Sequence, residues 1–305
     1  MYMINRCLGL LILAVVSISV HAKQVTISHD LGQTTVQYNP ERVVAIGVGI
    51  IDMLDHFGIE PVATSQDFLP DYLSKYKKPP YQSAGTLFEA DFENIYTVKP
   101  DVILIGPRIA SKYKELSEIA PTIVISPAES GSYWQSTMQQ WRNLAQVFDI
   151  AEKVESEIAL LNDEFKSIKQ HNTAYPAKAL TVMSIGGNIT AFSEKSRFAS
   201  IYVDFGFLPS AEGLKPKRHG DAISFEFISQ NNPEYLFVFD SDKLRNKLSS
   251  RTKDEFNNAL VNGTKAYQNG HIKFVDMDAW YLALGGVTAT RRMISDVKDV
   301  LHESH

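Results

Sequence analysis

One signature occurs twice in this chain and limits what it can fold into. Phe92-Glu93-x-Ile95 leads into Pro100-Asp101-x-Ile103-Leu104-Ile105, and Phe225-Glu226-x-Ile228 leads, at the same offset, into Pro233-Glu234-x-Leu236-Phe237-Val238. Each copy reads as a short helix, a proline that stops it, and a buried strand. The copies lie too far apart for a solenoid, whose units recur every few dozen residues. Two similar α/β lobes on one polypeptide are the expectation.

The N-terminus reads as an export signal: Arg6 is basic, Leu8 to Val20 is apolar, and Val20-His21-Ala22 is a small-x-small cleavage site. The apolar stretch is too short to span a bilayer, so residues 1–22 are expected to be cleaved. The single cysteine, Cys7, falls inside that segment. The mature chain therefore has no disulfide and no thiolate chemistry. Cys7 also precedes the apolar stretch, whereas a lipoprotein cysteine follows it, so a free, soluble, periplasmic protein is expected. The formal net charge is −5. There is no basic field of the kind a nucleic-acid partner requires, and an anionic ligand would have to meet local arginines.

Apolar, β-branched strand candidates are Val43 to Ile46, Val102 to Ile105, Thr122 to Ile125, Leu180 to Ile185, Tyr235 to Phe239 and Ile272 to Val275. Helical patterns fall between them, at Ile51 to Phe57, Phe92 to Val98, Tyr113 to Ile119, Phe198 to Phe205 and Phe225 to Asn231. This alternation predicts mostly parallel sheets. From Ala151 to about His171 there is neither glycine nor proline, and Val154, Ile158, Leu161, Phe165 and Ile168 form one apolar stripe. Asp149 is a candidate cap near its start. The segment reads either as an ordinary packing helix or as a stiff connector, 149–172, between an N-terminal lobe, 23–148, and a C-terminal lobe, 173–305.

In open parallel sheets, ligands sit beyond the carboxyl ends of the strands. Arg108 follows one strand through Gly106-Pro107, and Arg197 lies past Leu180 to Ile185. Trp280-Tyr281 follows Ile272 to Val275, Gly47-Val48-Gly49 follows the first strand, and His219 ends a basic loop. Each has a plain alternative: Arg108 as a solvated arginine, Tyr281 as core packing, His219 as surface. Their convergence on one sheet edge is what singles them out. There is no G-x-S-x-G elbow, H-E-x-x-H, Walker A or G-x-G-x-x-G after a strand, so catalysis is not indicated.

The chain resembles the periplasmic siderophore-binding proteins of bacterial ABC iron importers, in their ferric-catecholate branch. Carrying the resemblance are Pro40-Glu41-Arg42-Val43-Val44, Phe92-Glu93 with Lys99-Pro100-Asp101, Gly106-Pro107-Arg108 and Phe192-Ser193 with Ser196-Arg197-Phe198. His219-Gly220-Asp221 with Ser224-Phe225-Glu226, and Trp280-Tyr281-Leu282-Ala283-x-Gly285-Gly286, belong to the same set. The resemblance implies a helical-backbone periplasmic binding protein: two α/β lobes with mostly parallel sheets, joined by one long helix, with a ligand cleft between. It implies that Arg108 and Arg197 face an anionic ferric complex, and that His219 and Tyr281 bind iron when the siderophore leaves positions open. It also implies that Glu93 and Glu226, one per lobe, meet arginines of an inner-membrane ABC permease dimer. No intrinsic cofactor is expected, since Fe(III) arrives as the siderophore complex, and the protein is expected to be a monomer.

Ferric iron prefers oxygen donors and accepts imidazole. Guanidinium forks suit catecholate oxygens, and Trp280 is a candidate for packing on a catechol ring. One departure stands out. Ser241 occupies the position where the family resemblance implies a further cleft arginine, which leaves Arg245 or Arg251 to replace it. A haem-binding protein of the same architecture and a secreted siderophore-ester hydrolase are the alternatives.

Overall fold

In the computed structural model, which describes residues 23–128, 130–244 and 250–302, the chain opens with an antiparallel hairpin, β1 (Gln24–His29) and β2 (Gly32–Gln37). The expected export signal at 1–22 and the candidate Arg245 lie outside the described residues. A wholly parallel sheet follows, built from β3 (Val43–Ile46), β4 (Ala63–Thr64), β5 (Gln82–Ser83), β6 (Val102–Ile105) and β7 (Thr122–Val124) in the order β5-β4-β3-β6-β7. β3 and β6 are apolar at every position because both faces of the sheet are covered. Val43, Ala45, Val102 and Leu104 enter one core cluster. Val44, Ile46, Ile103 and Ile105 enter another.

The second sheet contains β8 (Lys178–Ile185), β9 (Asn188–Phe192), β10 (Leu208–Pro209), β11 (Asp221–Ile223), β12 (Tyr235–Asp240) and β13 (Ile272–Phe274). Its order is β11-β9-β8-β12-β13, with β10 beside the start of β8. β8, β12 and β13 are parallel, whereas β9 runs antiparallel to both its neighbours. This sheet is therefore mixed rather than uniform. Tyr235, Phe237 and Phe239 of β12 point into the same cluster that receives Val43 and Val102, so one core runs through both lobes.

The repeated signature proves to be a strand-holding device. The helices Phe92–Thr97 and Phe225–Asn231 bury Ile95 and Ile228. Each chain then turns through a left-handed residue directly before the proline, Lys99 at φ 45° and Asn232 at φ 40°. The carboxylate after that proline accepts backbone N–H groups from the head of the neighbouring strand. Asp101 Oδ2 takes Glu41 N at 3.0 Å and Arg42 N at 2.8 Å, and Glu234 Oε2 takes Lys178 N at 2.9 Å.

The glycine-free stretch is a helix, Ala151–Ala174, whose buried face carries Val154, Ile158, Leu161, Phe165 and Ile168. Asp149 does not cap it. Asp149 instead ends the preceding helix, Tyr133–Phe148, in a left-handed conformation, and Ile150 stands at the start of the long helix without a side-chain cap. The expected helix Phe198 to Phe205 shrinks to Ser200–Val203, flanked by turns that bury Phe198 and Phe205.

The lobes meet through the C-terminal helix, Val287–His302. Asp52, fully buried in the helix Val48–Phe57, accepts Thr288 N and Ala289 N at 2.9 Å each and the Tyr72 hydroxyl at 2.8 Å. One lobe thus supplies the N-terminal cap of a helix that follows the other. Burial pushes the Asp52 carboxyl above its usual range, and its hydrogen-bond donors oppose that shift. The approach is so close that a Cβ at Gly286 would lie 2.4 Å from Asp52 Oδ2, and one at Gly49 would lie 2.2 Å from Leu284 O. Asp204 does the same job for the helix Tyr133–Phe148, accepting Ser132 Oγ at 2.6 Å and Tyr133 N at 2.9 Å.

Asp52→Ala strands two helix-start amides and a hydroxyl inside the protein. The expected loss is about 3 kcal/mol, measured as a lower urea midpoint with Thr288→Ala, which keeps the backbone amide, as the mild comparison.

Candidate functional site

A cavity of about 420 Å³ lies between the sheets, at the ends of β3 and β6 on one side and beside the loops of the second lobe on the other. Arg108, Arg197, Arg218, His219 and Tyr281 line it together with an apolar set that includes Phe68, Phe88 and Leu284. Among the described residues its lining contains three arginines and no carboxylate. In a chain of net charge −5, that segregation makes a local site for an anion.

Local structure presents each polar group. Arg108 stands in the first turn of the short 3₁₀ helix Pro107–Lys112 that leaves β6. Its Nη2 donates to Tyr281 O at 2.8 Å, which ties the first lobe to the second across the cavity. Arg197 rides on a turn closed by Ser196 Oγ donating to Ser193 O at 2.7 Å, and next to it Phe198 anchors the chain by stacking on Phe239 at 3.8 Å between centroids. The Tyr281 ring lies under both guanidiniums, with Arg197 Cζ 4.0 Å and Arg108 Cζ 5.4 Å from its centroid. The Arg197 Nε–H is buried without an acceptor among the described residues. A donor in that state costs free energy until an acceptor reaches it.

The loop carrying Arg218 and His219 is braced by Asp221, whose carboxylate takes Lys215 N at 2.6 Å and pairs with Lys217 Nζ at 2.6 Å. Lys217, then the Lys215 amide, hold the Asp221 carboxyl below its usual range. Gly220 turns the loop at φ 72°, and a Cβ there would lie 2.7 Å from Ala191 O, so glycine is required for the loop to dock on β9. His219 is exposed and faces the cavity from this loop.

The structure brings Arg108, Arg197, His219 and Tyr281 to one cavity. Trp280 departs from expectation. A single π-helical turn, Asp278–Leu282, aims Tyr281 into the cavity and Trp280 the other way. Trp280 is 0% exposed and donates Nε1–H to Asp296 Oδ2 at 2.9 Å, because adjacent residues on one turn cannot share a face. It touches Phe205 and Phe239 in the core and is no platform for a ligand. Gly47, Val48 and Gly49 line the cavity, but Gly49 is small for Leu284 of the other lobe rather than for a ligand. Ser241 lines the cavity as well. Arg251 is exposed and lies outside the lining.

Sequence reasoning missed Arg218 as a cavity residue. Its position beside His219 in the basic loop was the available signal. With it the cavity holds a third arginine despite serine at 241. The apolar rim at Phe68 and Phe88 had no sequence signal. Glu93 and Glu226 occupy the same second position of matching short helices, are exposed, and lie outside the cavity lining. A helix that returns to a parallel strand begins at the sheet's carboxyl edge, so the topology sets both on the cavity side of their sheets. Ser224 and the helix-start amide hold the Glu226 carboxyl below its usual range.

The profile of the periplasmic binding protein family matches residues 43–279. The petrobactin-binding protein YclQ of Bacillus subtilis (strain 168) is 35% identical over 285 residues, covering 92% of this chain and 89% of YclQ. The solved structure of the periplasmic catecholate-siderophore binding protein VctP from Vibrio cholerae matches with a TM-score of 0.86 and 52% identity, over 91% of this chain and 100% of that one. The siderophore-binding protein BauB, solved with a complex between two molecules of acinetobactin and ferric iron, matches at 0.85 with 29% identity, over 93% and 100%.

The two neighbours on the π-helical turn separate experimentally. Trp280→Phe should cost about 2 kcal/mol in stability, through the lost bond to Asp296 and a small void. Affinity for a cavity ligand should stay within about twofold in equilibrium titration.

Proposed function

The chain belongs to the periplasmic binding protein family, and on that footing we propose that it captures ferric catecholate siderophores in the cavity between its lobes and delivers them to an inner-membrane ABC permease. It is a substrate-binding transport protein and not an enzyme. The observation that carries the cargo assignment is the lining itself: three arginines, an imidazole and a phenol around about 420 Å³, with no carboxylate among the described residues. The name of VctP, a catecholate-siderophore binding protein, supports the same class of ligand.

A bis-catecholate leaves two positions of an octahedral ferric ion open, and imidazole and phenolate are suitable donors for them. His219 and Tyr281 are the groups we assign to those positions. Arg108, Arg197 and Arg218 would meet the catecholate oxygens through charge-assisted hydrogen bonds, which strengthen as the complex leaves water. The iron is cargo and leaves with its chelator.

Glu93 and Glu226 are assigned to the permease. Their equivalent positions in the two lobes suit a partner with approximate twofold symmetry. Residues 1–22 are read as an export signal, 23–148 and 173–305 as the two lobes, and 149–172 as their link. No helix among the described residues is long and apolar enough to cross a membrane, and the working form is proposed to be a free periplasmic monomer.

Titrating the protein lacking residues 1–22 with a ferric bis-catecholate should quench tryptophan emission saturably at sub-micromolar concentration, equivalent to about −8 kcal/mol or better. Absence of saturable quenching would falsify the cargo assignment. His219→Ala and Tyr281→Phe should each shift the ligand-to-metal charge-transfer band of a tetradentate complex and leave a hexadentate one nearly unchanged. Unaltered spectra in both variants remove these residues from the iron shell. Glu93→Arg with Glu226→Arg should abolish uptake in cells while binding stays within about twofold. Normal uptake by that double variant refutes the permease assignment.

A further inference from the structure

The arginines do not account for the other wall of the cavity. On the N-terminal lobe its rim carries Phe68, 44% exposed, and Phe88, 58% exposed. Their rings meet edge to face, with centroids 6.5 Å apart and planes at 89°. Two open phenylalanines side by side forgo burial that folding ordinarily secures, so something must keep them outward.

The backbone does so. Phe68 sits at φ 52°, a left-handed conformation that bulky side chains rarely adopt and that clusters at ligand-holding positions. Its neighbour Leu69 is buried and anchors that loop. Phe88 stands on a tight turn closed by Thr86 N donating to Glu89 O at 2.8 Å, with Thr86 Oγ1 accepting Phe88 N at 3.2 Å and Glu89 N at 2.9 Å. Leu87, buried at 2%, anchors this turn in the same way. Asp67 Oδ1 accepts Leu87 N at 2.8 Å and pins the two loops to each other. The pair is therefore held open by hydrogen bonds and two leucine anchors.

Resting on the siderophore reading of this cavity, we propose that Phe68 and Phe88 form an aromatic corner that selects chelates carrying a flat aryl ring. The ring stacks on one phenylalanine and meets the edge of the other, while the anionic oxygens of the chelate turn toward Arg108, Arg197 and Arg218. Aromatic contacts of this geometry add attraction beyond simple area burial. An aliphatic chelate of equal charge would satisfy the arginines and leave the corner wet. The arginines thus select for charge and the phenylalanines for aromaticity.

The test uses Phe68→Asn with Phe88→Ala in the chain lacking residues 1–22. Asparagine tolerates the left-handed backbone, so the loop keeps its shape while losing the ring. Affinity for a ferric bis-catecholate should fall at least about tenfold (about 1.4 kcal/mol), with an unchanged thermal midpoint and an unchanged dependence on salt. Phe68→Tyr with Phe88→Tyr should retain affinity. If the ring-less variant binds within about twofold of the parent while Arg197→Ala weakens binding, the corner is wrong and the siderophore reading stands. If the parent binds no ferric catecholate, that reading fails and the corner falls with it. If binding is intact but uptake is lost, the rings serve the permease, which also overturns the proposal.

Discussion

The carboxylate of Asp52 is the contact on which the rest of the architecture depends. It is fully buried, belongs to the first helix of one lobe, and caps the last helix of the chain through Thr288 and Ala289. Around it the loop Leu284-Gly285-Gly286 is pressed against Gly49, Pro127 and Asp52 itself. Trp141 Nε1 donates to Gly285 O at 2.6 Å, and the Tyr133 hydroxyl accepts Gly285 N at 3.2 Å. Gly49, Pro127 and Leu284 of this junction also line the cavity, so the closure of the lobes here borders it directly. The same closure sets Tyr281, four residues before Gly285, where Arg108 of the opposite lobe can bond its carbonyl oxygen.

Behind the cavity an aromatic series continues the same junction. Phe57, Trp141, Trp134, Phe165, Phe205, Trp280, Phe239 and Phe198 touch in succession, from the first lobe through the long helix into the second. Phe198 adjoins Arg197, and Trp280 adjoins Tyr281. The two cavity residues therefore inherit their positions from one packed core, which is dense enough to transmit small displacements. The long helix is locked to this core by Glu157, which pairs bidentately with Arg291 of the last helix at 2.9 and 2.7 Å.

Acidic side chains divide their work by depth. Asp52, Asp204 and Asp296 are buried caps and acceptors, and burial raises the carboxyl of each. Asp101 and Glu234 hold the heads of strands. Glu93 and Glu226 stay in solvent at helix starts. None of these enters the described lining of the cavity.

Six parallel strands, β3, β6, β7, β8, β12 and β13, were legible because each is a mostly apolar run between breakers, whereas the two-residue strands β4, β5 and β10 offer no such run. The duplicated signature was legible because both copies do the same structural work. The long helix was legible from its stripe. The hairpin β1–β2 and the helices Tyr133–Phe148 and Val287–His302 escaped notice, although both helices carry an amphipathic period that could have been read. The sequence by itself determined two α/β units and supplied the arginines, imidazole and phenol in their loops. Only the tertiary structure decided which of these meet. Side-chain direction at a turn depends on backbone angles and on packing partners distant in sequence. For that reason Trp280 turns inward while Tyr281 turns out, Arg218 arrives beside His219, and Phe68 and Phe88 come together at the rim.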